Sequence, residues 1–136
     1  MTEDRIIYIV VPIGEELRET NQSDSRKTGK TPLINRDNLK VGKALSKQNR
    51  IKGYQKDVGN VEFHEILNDF TLSRSELQEL ETRIKRRLDK HRVRNPHTNY
   101  KTEWLYGIEF EALKKVILEE HETYRQDVLI IRTLSE

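Results

Sequence analysis

One apolar run near the amino terminus constrains the fold more than any other feature of the sequence. Residues 6 to 11 are isoleucines, valines and one tyrosine, and Pro12 follows them directly. Such side chains favour extended backbone, and a proline closes the run. The pattern predicts a buried strand over residues 5 to 12. The segments 39–43 and 61–67 predict a second and a third strand.

A long amphipathic helix is predicted in the middle of the chain. It begins at Ser73, where the serine hydroxyl and Glu76 form the pattern of a capping box, and it continues to about His91. Its apolar residues recur at helical spacing and therefore share one face. They are Leu77, Leu80, Ile84 and Leu88. The basic residues Arg83, Lys85, Arg86 and Arg87 are expected around the remaining faces.

The remaining segments complete a mixed α/β or α+β pattern. Helices are predicted from about 46 to 55, with Ser46 as N-cap, and from about 110 to 124, and a terminal strand over 128–132. At 136 residues the chain has room for one domain, residues 1–136. Only 34% of its residues are hydrophobic, so we expect a small core inside a highly charged surface.

Composition also excludes several classes of protein. The chain has no cysteine, which removes disulfide scaffolds, thiolate zinc sites and thiol nucleophiles. Its 25 basic and 23 acidic residues differ from a uniformly basic chromatin-like composition. No apolar run approaches the roughly 20 residues that span a bilayer, and the first residues are acidic where a signal peptide would be basic. We therefore expect a soluble, intracellular, cytoplasmic protein.

Positive charge is concentrated in one segment. Residues 26 to 56 contain ten basic residues and one acidic residue, whereas both ends of the chain are acidic. A local positive field attracts a polyanion whatever the net charge, although a solvated basic loop is the alternative. Residues 14–38, which overlap the start of this basic segment, lack a hydrophobic period and are predicted to form a long mobile loop.

Common catalytic motifs fail on spacing. Gly29-Lys30-Thr31 is like the end of a phosphate-binding P-loop, but Asp24 stands where that loop needs a glycine. The four histidines lack the i, i+4 spacing of a helical zinc site, and no nucleophile elbow occurs.

Three polar residues are better candidates for a functional site. Glu81 falls inside the apolar sector of the long helix, where a carboxylate needs a cation or a metal as partner. A salt bridge to a nearby arginine, or a side chain reaching outward, is the alternative. Arg50 and Tyr54 are one helical turn apart, and a guanidinium beside a phenol suits a phosphodiester. An ordinary surface contact is the other interpretation of this pair.

The order of these motifs resembles the GIY-YIG endonucleases, most closely their phage-type branch and the small domains that end in Glu-Trp-Phe. Similarity extends with gaps from about residue 5 to about residue 118. The motifs, in chain order, are Ile6-Ile7-Tyr8, Lys40-Val41-Gly42, Arg50 with Tyr54, Leu80-Glu81 and Glu103-Trp104-Leu105. The resemblance implies a small three-stranded antiparallel sheet flanked by helices.

The sequence departs from this family at several positions. Ile6 replaces the first glycine of the family name, and Lys40 replaces the second tyrosine. The spacer between the first two motifs is long, so residues 14–38 are interpreted as an insertion. The asparagine that often follows the metal-binding glutamate is either Asn95 or Asn99, and both assignments stay open.

The resemblance also implies catalytic roles. Glu81 would hold one divalent metal, Mg²⁺ or Mn²⁺, and Arg50 would bind a non-bridging phosphate oxygen. Tyr8 or Lys40 would activate or orient the attacking water, with Tyr54 as a supporting hydrogen-bond donor. One carboxylate is sufficient for Mg²⁺, because waters and substrate oxygens fill its other positions.

The sequence thus predicts a metal-dependent DNA endonuclease. Two-strand cleavage would favour a homodimer, because one site cuts one strand at a time. Non-cleaving nucleic-acid binding on the same scaffold is the first alternative, and a scaffold or inhibitor acting through Phe110, Leu113 and Ile117 is the second. Predicted DNA contacts beyond the site are Arg26, Lys27, Lys30, Arg36, Lys43, Lys47 and Lys52.

Overall fold

The computed structural model describes residues 3–20, 32–95 and 99–135. This part of the chain contains both strands and helices, as the mixed α+β prediction requires. The elements are β1 (Ile6–Pro12), β2 (Arg18–Glu19), β3 (Leu33–Ile34), β4 (Lys40–Ala44), α1 (Lys47–Val58), β5 (Val61–Asn68), α2 (Arg74–Arg87), a 3-10 turn (Asp89–His91), β6 (Arg92–Arg94), β7 (Lys101–Leu105) and α3 (Phe110–Ser135).

The three longest predicted strands form one antiparallel sheet in the order β4-β1-β5, which confirms the predicted fold class. The central strand β1 has neighbours on both sides, and Tyr8 lies directly opposite Gly42 of β4. Successive side chains of a strand point to opposite faces. The unbroken apolar run of β1 is therefore explained by cores on both faces of the sheet.

One face of the sheet is covered by α2 and α3. From β1, Ile7 and Ile9 pack into this core. The predicted capping box of α2 is present, because Ser73 Oγ accepts from the Glu76 amide at 3.1 Å and Glu76 Oε1 accepts from the Ser73 amide at 2.8 Å. The helices contribute Leu77, Leu80, Ile84, Leu88, Leu113, Ile117 and Tyr124 to this core.

The other face packs against α1 and the end of β7. Ile6, Tyr8 and Val10 lie here, with Tyr54 and Val58 of α1 and Trp104 of β7. Ser46 caps α1 as predicted, accepting a hydrogen bond from the Asn49 amide at 3.4 Å. The start of β4 is joined to β7 by two main-chain bonds between Leu39 and Leu105, which close this edge of the sheet.

The predicted carboxyl-terminal strand is wrong, because α3 continues to Ser135. Tyr124 and Val128 keep the helical spacing of the buried face, and this spacing outweighs the β-propensity of the isoleucines that follow. Residues 129 to 131 are 57–65% exposed, so this apolar run is not part of the core. Of the three residues named for a scaffold or inhibitor, Leu113 and Ile117 are buried in the core and Phe110 is partly exposed.

The segment 14–38 is more regular at its ends than the predicted loop. Strands β2 and β3 pair as a short antiparallel ribbon, and the Arg36 amide donates to the Gly14 carbonyl at 3.0 Å. The predicted DNA contacts Arg26, Lys27 and Lys30 lie outside the described residues. None of the described helices combines the length and the apolar character needed to cross a membrane.

Candidate active site

Two tyrosines form the centre of the candidate site. The hydroxyls of Tyr8 on β1 and Tyr54 on α1 are 2.6 Å apart, and both side chains are buried. The Tyr8 ring lies over Gly42, where a β-carbon would come within 2.5 Å of Cζ of the ring. On its other side it stacks on Phe63 at a centroid distance of 4.5 Å. Glycine at position 42 is therefore required for the tyrosine pair to form.

Burial changes the acidity of both phenols. It raises the pKa of Tyr8 to about 12 and the pKa of Tyr54 well above its usual value. The positive charge of Arg50 partly offsets both increases in pKa. The negative charges of Glu81 and Glu103 act on the Tyr8 pKa in the opposite direction. Tyr8 is therefore a neutral phenol near pH 7, and three charged side chains influence its proton.

Lys40 lies beside the tyrosine pair. Its side chain is 6% exposed, and Nζ lies 5.3 Å from the Tyr54 ring centroid and 5.7 Å from that of Trp104. Nζ is also 3.4 Å from Glu103 Oε2. Burial lowers the pKa of Lys40, and Glu103 opposes that decrease. Lys40 is therefore not an exposed lysine, although β4 is an edge strand of the sheet, because aromatic rings and β7 enclose its ammonium.

Glu81 occupies the apolar sector of α2, as the helical spacing predicts. It is 7% exposed and lies on the helix between Leu80 and Ile84, which are both buried. Its contacts are long, at 3.6 Å to Lys85 Nζ and 3.4 Å to Gln78 Nε2. Charge-assisted bonds usually measure about 2.7–2.9 Å. The salt bridge is thus loose and involves a lysine rather than an arginine, so carboxylate lone pairs remain for another cation.

The donor set near Glu81 suits a hard, mostly hydrated cation. Among residues 3–20, 32–95 and 99–135, no three His, Cys, Asp or Glu side chains come together as a metal-binding group. Mg²⁺ commonly binds through one or two carboxylates and retains several waters. A buried, loosely paired carboxylate such as Glu81 fits that requirement.

Two further residues belong to the site, although sequence reasoning assigned them no role. Lys85 Nζ is 2.7 Å from Glu103 Oε1 and therefore links Glu103 to Glu81. Lys85 follows Glu81 by one helical turn, a spacing that predicts contact between the two side chains from the sequence. For Glu103 the signal was only its place in the last of the family-like motifs, because it meets Lys40 and Lys85 through the packing of β7 against β4 and α2.

The remaining predicted site residues lie around this centre. Arg50 is exposed on α1, one turn before Tyr54, and its charge lowers the pKa of Lys40, Tyr8 and Tyr54. Asn95 and Asn99 lie in the connection between β6 and β7, where the Asn99 amide donates to the Asn95 carbonyl at 2.8 Å. The choice between these two asparagines stays open.

Acidic residues of α3 neutralise part of the predicted basic exterior of α2. Arg83 pairs with Asp127 at 2.7 Å, and Arg87 pairs with Glu119 at 3.4 Å. Arg36, a predicted DNA contact, pairs with Glu15. The other predicted contacts in the described segments are Lys43, Lys47 and Lys52 on β4 and α1.

The cations of β4 and α1 are less engaged by acids. In the described part of the chain, no ion pair joins Lys43, Arg50 or Lys52 to a carboxylate, and Lys47 approaches Glu65 only at 3.9 Å. Lys43, Arg50 and Lys52 thus carry free positive charge on β4 and α1, and the charge of Arg50 acts on both tyrosines.

Fold and site together define a small α+β domain with a polar site at the β4 edge of a three-stranded antiparallel sheet. Residues 6–120 match the family model of the T5orf172 domain, and the chain belongs to this family. The match begins at the first residue of β1 and includes every site residue described above. The chain has no significant match among curated proteins or among solved structures.

Proposed function

We propose that this protein is a metal-dependent DNA endonuclease of the GIY-YIG type. T5orf172 domains are phage-type domains associated with nuclease functions, and this membership supports a nucleic-acid-related role. The observation that carries the finer proposal is a chain of contacts at the β4 edge of the sheet, which runs from the Tyr8–Tyr54 pair to Lys40 and on through Glu103 and Lys85 to Glu81. These groups supply a hydroxyl pair, a buried cation and an under-coordinated carboxylate.

Glu81 is the residue that would hold the metal. A bound Mg²⁺ would neutralise charge on the phosphoryl oxygens and at the departing oxygen. The contribution of the chain is a carboxylate held in place by the packing of α2, with Leu80 and Ile84 fixed in the core. Lys85 contacts Glu81 only at 3.6 Å, whereas its short bond of 2.7 Å is to Glu103, so the lysine can stay on Glu103 while Glu81 takes a second cation.

The tyrosine pair and Arg50 bind and orient the substrate. The exposed guanidinium of Arg50 binds a non-bridging phosphate oxygen, and Tyr54 supports the Tyr8 hydroxyl through their 2.6 Å hydrogen bond. Tyr8 Oη then orients the attacking water. Lys40 assists by its positive charge or, when neutral, by accepting a proton at Nζ. The Lys40 variants described in the Discussion distinguish these two routes.

The DNA backbone is proposed to lie along β4 and α1. Lys43, Lys47 and Lys52 are close in sequence to Arg50, and no short ion pair holds them. Phosphate contacts from such residues give affinity that does not depend on base sequence and that decreases with salt. The basic residues between 26 and 31 extend the same charge in sequence.

Incubation with supercoiled plasmid, with and without Mg²⁺, tests the proposed function. Nicked or linear product that requires the metal is the expected result, and the ratio of the two products indicates whether both strands are cut together. Salt-dependent binding without cleavage would instead support the non-cleaving nucleic-acid-binding module. The absence of both binding and cleavage would refute both.

A further inference from the structure

Glu103 joins two lysines that come from different elements. Its Oε2 atom is 3.4 Å from Lys40 Nζ on β4, and its Oε1 atom is 2.7 Å from Lys85 Nζ on α2. The glutamate side chain is partly exposed, whereas Lys40 is almost completely buried. A single carboxylate therefore serves as counter-ion to two ammonium groups at the centre of the candidate site.

The backbone delivers Glu103 to this position. The Leu39 amide donates to the Leu105 carbonyl at 3.1 Å, and the Leu105 amide donates to the Leu39 carbonyl at 2.7 Å. These bonds fix β7 against the residue that precedes Lys40. Trp104, the neighbour of Glu103, is buried and packs edge-on against Tyr54 at a centroid distance of 6.3 Å. Neither end of the Lys40–Glu103 pair is therefore free to move far.

We propose that Glu103 is a positioning residue, whose carboxylate holds the Lys40 ammonium over the Tyr54 and Trp104 rings beside the tyrosine pair. This inference rests on the proposed function for its effect on cleavage, but the contact itself does not depend on that function. Lys40 then acts as a fixed positive charge, and it does not act as a neutral amine that accepts a proton.

The surroundings of Lys40 explain why this carboxylate matters. The charged groups that act on Lys40 are Glu103 from β7, Lys85 from α2 and Arg50 from α1, and the Tyr54 ring lies against it. Burial and the two cations disfavour the ammonium form, and Glu103 opposes them. Without Glu103, Lys40 would be a buried cation facing two others.

NMR titration of the Lys40 side chain tests the proposal without any substrate. The ¹³Cε signal of uniformly labelled protein is followed against pH, and Lys40→Met identifies the resonance. Because a neighbouring opposite charge shifts a pKa by about 1–3 units, Glu103→Gln is expected to lower the Lys40 midpoint by about that amount. Glu111→Gln, which removes an exposed carboxylate on α3, is the matched control and should leave it unchanged.

A second variant keeps the test decisive if Glu103→Gln does not fold. Lys85→Met removes the competing ammonium and is expected to raise the Lys40 midpoint, a shift of opposite sign. An unchanged midpoint in folded Glu103→Gln would overturn the proposal whatever Lys85→Met does, because Glu103 would then not be the counter-ion of Lys40.

Cleavage distinguishes this inference from the proposed function. In single-turnover plasmid nicking with Mg²⁺, the rate is expected to fall as the pH rises and Lys40 loses its charge. In Glu103→Gln this fall should occur at a lower pH than in the wild type, by the same shift as the NMR midpoint. An unchanged pH profile in an active variant would overturn the positioning role. If the wild-type protein does not cut DNA at all, the proposed function fails, and the NMR titration still decides whether Glu103 holds Lys40.

Discussion

Gly42→Ala tests the close approach on which the tyrosine pair depends. A β-carbon at position 42 would lie 2.5 Å from Cζ and 2.9 Å from Cε2 of Tyr8, and nearer still to the hydroxyl oxygen. Carbon atoms pack best at about 3.5–4.0 Å, so the ring must retreat by about 1 Å. Such a retreat breaks the 2.6 Å bond to Tyr54, because Tyr54 is itself buried and cannot follow freely.

The expected cost follows from these contacts. Overpacking costs about 1–3 kcal/mol, and loss of a buried hydrogen bond adds about 1 kcal/mol. The lower backbone entropy of alanine in the unfolded chain offsets roughly 0.5–1 kcal/mol. The free energy of unfolding is therefore expected to decrease by about 1–3 kcal/mol. Plasmid nicking is expected to decrease about a hundredfold, because a displacement of about 1 Å is sufficient for such a loss.

Urea denaturation and single-turnover nicking measure the two effects. Gly53→Ala is the matched control, since Gly53 lies inside α1, where alanine is favoured over glycine by about 1 kcal/mol. The control is expected to be more stable than the wild type. If Gly42→Ala has wild-type stability and activity, Tyr8 does not lie over Gly42 and the geometry of the site is wrong.

Further variants and one pH series test the remaining assignments. Glu81→Ala is expected to abolish cleavage and leave DNA affinity within a few-fold, because phosphate contacts dominate binding; full activity would remove the metal assignment. Its control is Glu111→Ala rather than Glu79→Ala, because Glu79 accepts a hydrogen bond from Tyr124 at 3.1 Å and is not silent. Lys40→Met is expected to cost at least about a hundredfold in turnover with little loss of binding, and recovery in Lys40→Tyr would indicate a proton-handling group. Tyr8 releases its proton near pH 10 when unfolded and near pH 12 when folded. The folded state therefore binds more protons in that window, and stability should decrease there by up to about 3 kcal/mol as the pH rises; urea denaturation should show a smaller decrease in Tyr8→Phe. Replacing three lysines by serine should reduce the slope of log K for DNA binding against log salt by about 2–3 units, at roughly 0.9 per phosphate contact. An unchanged slope would show that DNA binds to another surface. The three lysines are Lys43, Lys47 and Lys52.

The elements that the sequence predicted well are those specified by local patterns. The apolar run of β1, the capping box at Ser73 and the N-cap at Ser46 each depend on residues that are close in the chain. The ribbon of β2 and β3 escaped prediction because its two short strands pair across the long 14–38 segment. The misassigned carboxyl-terminal segment contains two signals, and helical spacing outweighed strand propensity.

The residues of the candidate site also divide into those that a local pattern specifies and those that depend on tertiary packing. Glu81 was predictable because its angle on the helix follows from the spacing of its apolar neighbours. The hydrogen bond between Tyr8 and Tyr54 was not, because it joins β1 to α1 and depends on the absence of a side chain at Gly42. The motif Glu103-Trp104-Leu105 marks this segment, but the role of Glu103 depends on how β7 packs against β4 and α2, which are distant in the chain.

The location of free positive charge shows how tertiary structure changes what a charge count implies. By sequence, both α2 and the segment 26 to 56 are basic, and either is a candidate for contact with DNA. In the fold, α3 places Glu119 and Asp127 beside the arginines of α2. In the described residues Lys43 of β4 and Arg50 and Lys52 of α1 have no ion pair, and Lys47 approaches Glu65 only at 3.9 Å. Arg50, which has no ion pair in the described residues and lowers the pKa of both Tyr8 and Tyr54, therefore attracts an approaching phosphate to the residues proposed to act on it.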